Sequence, residues 1–165
     1  MTPENSCVIF FLAGSDLEEV FKQINPNLDV DEQKFTYGLF SMYRVSVFKP
    51  CKPGSRYMLT KLRGSAHYSF QDINWDMEFK PNEQYLVIDV PNEPGIYCYS
   101  DPKMGWLGGE ILARRISNGK AYELPAPDTG KYTKAVYKQA AKQFKKLYSG
   151  TPWYDAFLEK QKTIK

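Results

Sequence analysis

The sequence predicts an α+β fold that consists of an N-terminal strand-helix unit, a central antiparallel β-sheet or small barrel of about five to seven strands, and two C-terminal helices packed on it. Three observations support this prediction. An apolar run near the N terminus precedes a segment with helical periodicity, short segments rich in aromatic and β-branched residues fill the middle of the chain, and a long amphipathic segment rich in lysine lies near its end. The 165 residues are expected to form one globular domain.

The N-terminal unit is predicted from two adjacent patterns. The apolar run 7–13 predicts a fully buried strand. The residues that follow predict a helix over 16–24, because apolar residues recur at helical spacing and Ser15 and Glu18 have the spacing of a capping box. Asn25-Pro26-Asn27 predicts the end of this helix. Its apolar residues are Leu17, Val20, Phe21 and Ile24.

The middle of the chain is predicted to form β-strands. Its aromatic and β-branched segments are separated by turns rich in Pro, Gly and Asn, a pattern typical of an antiparallel meander or a small barrel. The predicted strands span residues 43–48, 56–63, 74–79, 85–90 and 96–99.

The segment that follows these strands allows two interpretations. Asn118-Gly119 is a strong hairpin signal, which favours two further strands over 110–116 and 120–124. The alternative is a helix over 107–116, which the two adjacent glycines near its start disfavour because glycine has a low helix propensity.

Two helices are predicted at the C-terminal end. The first spans 131–149 and ends at Gly150, which suits the left-handed conformation that follows many helices. Thr151 and Pro152 predict the start of the second helix, because Thr is a common N-cap residue and Pro is favoured at the first helical position. The last residues, 160–165, are expected to fray.

The composition limits the classes of function. The three cysteines are too far apart in sequence to form the paired ligand motifs of a zinc site, so free thiols in a reducing compartment are expected. The apolar run 7–13 is too short to cross a bilayer, which needs about 20 residues, and it lacks the flanking residues of a signal peptide. A cytoplasmic location is therefore expected. His67 is the only histidine, and no motif indicates a catalytic residue, a metal or a cofactor. The cysteines are Cys7, Cys51 and Cys98.

The charges are sorted into blocks along the chain, although the formal net charge is only +3. Residues 1–33 and 72–110 are acidic. In contrast, residues 34–71 carry seven cations and no acid, and residues 111–165 carry twelve cations and four acids. Segregated charge can produce surface fields that select charged partners. The two basic blocks are therefore the candidates for a binding function.

The second basic block contains a lysine repeat with helical period. Within the predicted helix 131–149, lysines recur every four residues and fall on one face, apart from the apolar face. Like charges at this spacing repel one another, which favours a binding role over a role in folding. The alternative is a solvated face whose counter-charges come from elsewhere in the fold. The repeat comprises Lys134, Lys138, Lys142 and Lys146, with Lys131 and Lys145 beside it.

The first basic block alternates cations with aromatic residues. This combination is what a platform for single-stranded nucleic acid requires, because cations contact phosphates and flat rings stack on bases. The candidate cations on its strands are Arg44, Arg56 and Arg63, and strand alternation places Arg44 and Phe48 on one face. The alternative is that the rings belong to the core of a small β domain.

A glycine cluster is a third candidate. Gly108 and Gly109 would let backbone amides approach an anion closely, and Arg114 and Arg115 follow them in sequence. Such residues could rim a pocket for a small ligand. The alternative is an ordinary turn or bulge, because the cluster lacks the remaining residues of a P-loop or a dinucleotide-binding motif.

These patterns predict a non-enzymatic binding protein that uses basic surfaces to engage nucleic acid, with single strands favoured. Two alternatives stay open. The first is a protein-interaction module, such as a viral or phage inhibitor that docks a charged partner protein. The second is a small ligand-binding protein or enzyme with an arginine-rimmed pocket. Residues 94–99, 108–114 and 118–121 are similar in pattern to small phage-encoded proteins of unassigned role, a resemblance that implies no functional residue.

Overall fold

The computed structural model describes residues 1–13, 16–36, 44–117 and 119–164, without the side chains of Ala13, Asp16 and Tyr68. Within these ranges it confirms the α+β class: strands form two sheets, the two C-terminal helices pack on one of them, and no barrel closes. The strands are β1 (Cys7–Ala13), β2 (Asp16–Gln23), β3 (Glu32–Thr36), β4 (Arg44–Val47), β5 (Arg56–Tyr68), β6 (Gln71–Glu78), β7 (Val87–Asp89) and β8 (Gly95–Tyr99). The helices are a 3-10 helix (Pro102–Trp106), α1 (Leu107–Ile116), α2 (Thr133–Tyr148) and α3 (Pro152–Thr163).

The smaller sheet has the strand order β4-β1-β8, with the apolar strand β1 at its centre. β1 is antiparallel to β4 and parallel to β8, and this parallel pair departs from the antiparallel sheet that the sequence predicts. Because β1 and β8 run in the same direction, their carboxyl ends meet at one edge of the sheet. The 3-10 helix begins at this edge, directly after β8.

The larger sheet is wholly antiparallel in its described part and has the order β3-β2-β5-β6, with β7 also paired to β5. The long strand β5 holds this sheet together, because it pairs with three neighbours along its length. It also places the cations of the first basic block opposite acids, since Arg63 lies opposite Asp76 on β6 and Arg56 lies opposite Asp89 on β7.

Two hydrophobic clusters share β1 as a common wall. Ile9 and Phe11 face the larger sheet, whereas Val8 and Phe10 face the helices α2 and α3, and all four side chains are fully buried. Phe10 contacts the rings of α2 and α3 edge-on, and Phe144 of α2 stacks on Phe157 of α3 at a centroid distance of 4.0 Å. The protein therefore has three layers, which are helices α2 and α3, the smaller sheet and the larger sheet, and α1 packs in the cluster of the larger sheet.

The predicted helix over 16–24 is wrong, because the segment is strand β2. Glu19 and Gln23 are polar but buried in this strand. The alternation of apolar and polar residues that is typical of a strand is therefore not visible in the sequence. Val20 lies on the other face, between Lys34 of β3 and Lys61 of β5. The capping-box residue Ser15 lies outside the described residues.

The two further strands predicted at 110–116 and 120–124 are also wrong. Residues from Leu107 to Ile116 form helix α1, and the second segment contributes only a parallel bridge between Leu86 and Tyr122. Burial of Leu107 and Ile111, which are one helical turn apart, stabilises α1 against the core. This packing outweighs the low helix propensity of the glycines. Asn118, half of the hairpin signal, lies outside the described part of the chain.

The two C-terminal helices match the predicted ones. Gly150 has a φ of 75°, the left-handed conformation expected after α2. Thr151 precedes α3 in an extended conformation and Pro152 is its first residue, although the Thr151 hydroxyl donates to the carbonyl oxygen of Tyr148 instead of capping α3. α3 continues through Thr163. None of the helices in the described ranges is long and apolar enough to span a membrane.

The three thiols are free and buried, which gives a first testable prediction. Burial raises the pKa of each of them above the ordinary value of about 8.5, that of Cys51 to about 12. We therefore expect iodoacetamide at about pH 8 to leave the cysteines of the folded protein unmodified and to alkylate all three in denaturant, because the thiolate is the reactive form. Mass spectrometry measures the outcome. A cysteine modified equally fast in both states would contradict it.

Candidate nucleic-acid interface

The lysine repeat lies on an exposed face of α2 and of the turn before it. Its lysines are all exposed, and within the described residues none of them forms an ion pair. At a rise of about 1.5 Å per residue, the stretch from Lys134 to Lys146 is about 18 Å long. We call this surface the lysine face. It comprises Lys131, Lys134, Lys138, Lys142, Lys145 and Lys146.

The packing of α2 explains why the lysines are exposed. Val136, Ala140 and Phe144 are buried against the smaller sheet at four-residue spacing. Lys138 and Lys142 are each two residues, or about 200°, away from these apolar residues around the helix. The first turn of α2 contains no acid, so the partial positive charge of the helix N terminus adds to the field of the lysines.

Two of the three candidate arginines of the first basic block are neutralised by acids. Arg56 Nε lies 2.5 Å from Asp89 Oδ1, and Arg63 Nη2 lies 2.7 Å from Asp76 Oδ2. The exposed Arg44 also has an interaction partner. The structure therefore places these three residues on strands, as predicted, but it does not leave them as an uncompensated patch.

Lysines of the same block are paired as well. Lys61 and Lys34 lie 3.1 and 3.5 Å from the two carboxylate oxygens of Glu18. The hydrogen bond from Lys61 is the main cause that lowers the pKa of Glu18. An acid of the first acidic block thus compensates two cations of the basic block that follows it.

Most described rings of the first basic block are core residues. Phe48 and Tyr57 are buried, and Phe35 packs against the same cluster. Arg44 and Phe48 therefore do not form an exposed platform. Phe70, in the turn between β5 and β6, is fully exposed. The structure does not describe the side chains of four further rings of this block, Tyr37, Phe40, Tyr43 and Tyr68.

The glycines and the arginines of the predicted cluster lie near opposite ends of α1. Gly108 belongs to the first turn of α1, whereas Arg114 and Arg115 belong to its last turn, about 9 Å further along the axis. Arg114 donates to the carbonyl oxygens of Lys120 and Ala121, and Arg115 pairs with Glu83. These contacts connect the last turn of α1 to residues 120–121 and to Glu83.

The two glycines have different surroundings. A Cβ atom at Gly108 would lie 2.0 to 2.3 Å from three atoms of the Trp75 indole, whereas a Cβ atom at Gly109 would meet nothing within 4 Å. Gly108 therefore permits close packing between α1 and β6.

A groove that the sequence did not reveal lies between the 3-10 helix and α2. It has a volume of about 280 Å³ and opens at the edge where β1 and β8 end. Trp106 and Tyr132 line it, with 58% and 43% of their surfaces exposed. The other lining residues are Leu12, Ser100, Asp101, Pro102, Gly105, Ala135, Val136 and Gln139.

Hydrogen bonds fix the walls of this groove. Ser100 Oγ and Thr133 Oγ1 are 2.7 Å apart, which ties the end of β8 to the start of α2. Asp101 Oδ1 accepts a hydrogen bond from Lys103 N at 2.9 Å and so caps the 3-10 helix. Only a weak sequence pattern indicates the groove. Trp106 and Tyr132 each lie directly before a helical segment, and each has a lysine nearby in sequence.

His67 and the cysteines do not form a Cys-His pair among the described residues. His67 is exposed on β5 with Nδ1 2.7 Å from Asp72 Oδ1, whereas the cysteines are buried in the core. No group of three or more His, Cys, Asp or Glu side chains suited to a metal occurs among the described residues. Comparison with protein-family models, with curated proteins and with solved structures found no match. The functional conclusion therefore depends on the geometry.

Proposed function

We propose that the protein binds nucleic acid through the lysine face of α2. The observation that carries this proposal is a set of six exposed lysines that form no ion pair within the described part of the chain, where most cations of the other basic block are paired. Lysines at four-residue spacing repel one another by a few tenths of a kcal/mol per pair, so they are a cost to the isolated helix. A polyanion removes this repulsion when it binds.

The composition of the face favours a nucleic acid over a protein partner. The centres of protein interfaces are depleted in lysine and enriched in aromatic residues. The lysine face instead offers a row of point charges about 18 Å long, which suits a row of phosphates. Its position beside the exposed rings of Trp106 and Tyr132 favours single strands, whose bases are free to stack.

A salt titration tests this proposal. Binding of a fluorescent single-stranded oligonucleotide is measured by anisotropy between about 50 and 200 mM salt, over which electrostatic binding weakens steeply. If all six lysines neutralise phosphates, log K is expected to fall against log salt with a slope of about −4, since each contact to a single strand contributes about −0.7.

Two results would contradict the proposal. The first is no binding to single- or double-stranded DNA or RNA, and the second is binding that does not depend on salt. If nucleic acid does not bind but an acidic protein partner does, and Lys138→Glu with Lys142→Glu abolishes that partner, the lysine face is a protein-docking surface instead.

A further inference from the structure

We infer that the groove between the 3-10 helix and α2 takes one unpaired nucleobase, which stacks on Trp106 or Tyr132 while the lysine face binds the neighbouring phosphates. This inference rests on the proposed function and adds the substrate class, a single strand recognised at a base. The base is the ligand because the groove combines exposed rings with an adjoining row of cations.

The distribution of exposed rings supports a base as the occupant. Among the described side chains, three aromatic residues are largely exposed, and two of them line this groove. The third, Phe70, is in the turn between β5 and β6. Rings are usually buried because they remove a large apolar area from water. Two exposed rings in one groove are typical of a stacking site, where a base covers them on binding.

The size and lining of the groove suit a single base. Its volume of about 280 Å³ lies just below the range of about 300–1,000 Å³ that is usual for small-ligand sites. Leu12 and Val136 supply an apolar floor, and Gln139 supplies an amide that can both donate and accept a hydrogen bond. Asp101 adds a carboxylate that caps the 3-10 helix through Oδ1 and whose negative charge repels a phosphate. The phosphate therefore belongs outside the groove.

The lysine face adjoins the groove on α2. Ala135 and Gln139 line the groove, and each follows directly after a lysine, Lys134 or Lys138. Lys131 Nζ lies 5.5 Å from the centroid of the Tyr132 ring. A strand with one base in the groove would thus have its backbone beside these cations. The two surfaces form one continuous site.

A base in this groove implies a preference for single strands. Extruding a base from a duplex costs a few kcal/mol, whereas a base of a single strand is already accessible. Stacking of one base on an aromatic side chain contributes about 1–3 kcal/mol, which corresponds to about 5- to 150-fold in affinity.

The test compares a thymidine oligonucleotide with an abasic oligonucleotide of the same length and phosphate number. Trp75 and Trp153 are buried, with 8% and 4% exposed, so quenching of tryptophan emission reports mainly on Trp106. We expect the thymidine oligonucleotide to quench this emission and to bind about 5- to 150-fold more tightly than the abasic one. A duplex of the same length is expected to quench less.

Variants separate the groove from the lysine face. Trp106→Ala and Tyr132→Ala are expected to reduce the preference for the thymidine oligonucleotide and to leave the salt slope unchanged. Ile116→Ala, which removes another exposed apolar side chain, is the matched control and is expected to change neither. Circular dichroism checks that each variant is folded. If a variant does not fold, quenching of tryptophan emission in the unmodified protein still tests the base site.

The outcomes distinguish the two proposals. Equal affinity for both oligonucleotides, with a steep salt slope and no quenching, overturns the base site and leaves the proposed function intact. No salt-dependent binding of either oligonucleotide overturns the proposed function itself.

Discussion

Replacing Lys134, Lys138, Lys142 and Lys146 together with Gln is expected to weaken binding of a single strand by ~10²–10³-fold at about 0.1 M salt. Each lost phosphate contact removes about 0.7 from the salt slope, so the slope is expected to change from about −4.2 to about −1.4. The remaining slope comes from Lys131 and Lys145. Anisotropy titrations at several salt concentrations measure both quantities.

A second quadruple variant controls for net charge. Lys22, Lys34, Lys52 and Lys61 lie within 4.0 Å of acids, on or beside the larger sheet. Their replacement with Gln removes the same formal charge but no lysine of α2, so the affinity is expected to change by less than about threefold at 0.1 M salt. Equal losses in the two variants would mean that net charge, and not the lysine face, determines binding.

The direction of the change in unfolding free energy can also be predicted for the quadruple Gln variant of α2. Removal of four lysines at four-residue spacing relieves like-charge repulsion of a few tenths of a kcal/mol per pair. The variant is therefore expected to be at least as stable as the unmodified protein, and a loss of binding cannot then be ascribed to unfolding.

The lysine face could be predicted from sequence because one helix determines it. The apolar residues Val136, Ala140 and Phe144 fix which side of α2 is buried, and the helical period then fixes where the lysines lie. Whether the cations of the first basic block are paired could not be predicted in this way. Whether Arg63 is free depends on the register between β5 and β6, which places Asp76 opposite it. That register is a tertiary property.

The two wrong predictions of secondary structure have the same kind of cause. At β2, buried Glu19 and Gln23 occupy positions that usually hold apolar residues, and Glu19 is within 3.5 Å of the hydroxyl of Ser46 in the other sheet. At α1, glycine is required by a neighbour that is distant in sequence, Trp75. In both cases a tertiary contact outweighs the local propensity.

The groove was not predictable for a related reason. Its walls come from β1, the end of β8, the 3-10 helix and α2, which are brought together by the parallel pairing of β1 with β8. The meeting of the carboxyl ends of parallel strands is a recurrent position for ligand sites in sheets. The sequence predicted an antiparallel sheet and so gave no reason to look there.

Gly108→Ala is expected to destabilise the protein by about 1–3 kcal/mol, the usual cost of forcing extra atoms into a packed core. The added methyl group would lie 2.0 to 2.3 Å from the Trp75 indole, which is rigid and buried, so α1 or β6 has to shift. For a chain of this size, 1 kcal/mol corresponds to about 2–4 °C in Tm. Urea denaturation followed by circular dichroism measures the free energy of unfolding.

Gly109→Ala is the matched control, because it makes the same chemical change one residue further along the same helix. Its methyl group meets nothing within 4 Å, and alanine has a higher helix propensity than glycine. This variant is therefore expected to be more stable than the unmodified protein by up to about 1 kcal/mol. The two substitutions share the gain in propensity, so the difference between their unfolding free energies isolates the contact with Trp75. A Gly108→Ala variant as stable as Gly109→Ala would show that α1 does not pack against β6 in this way.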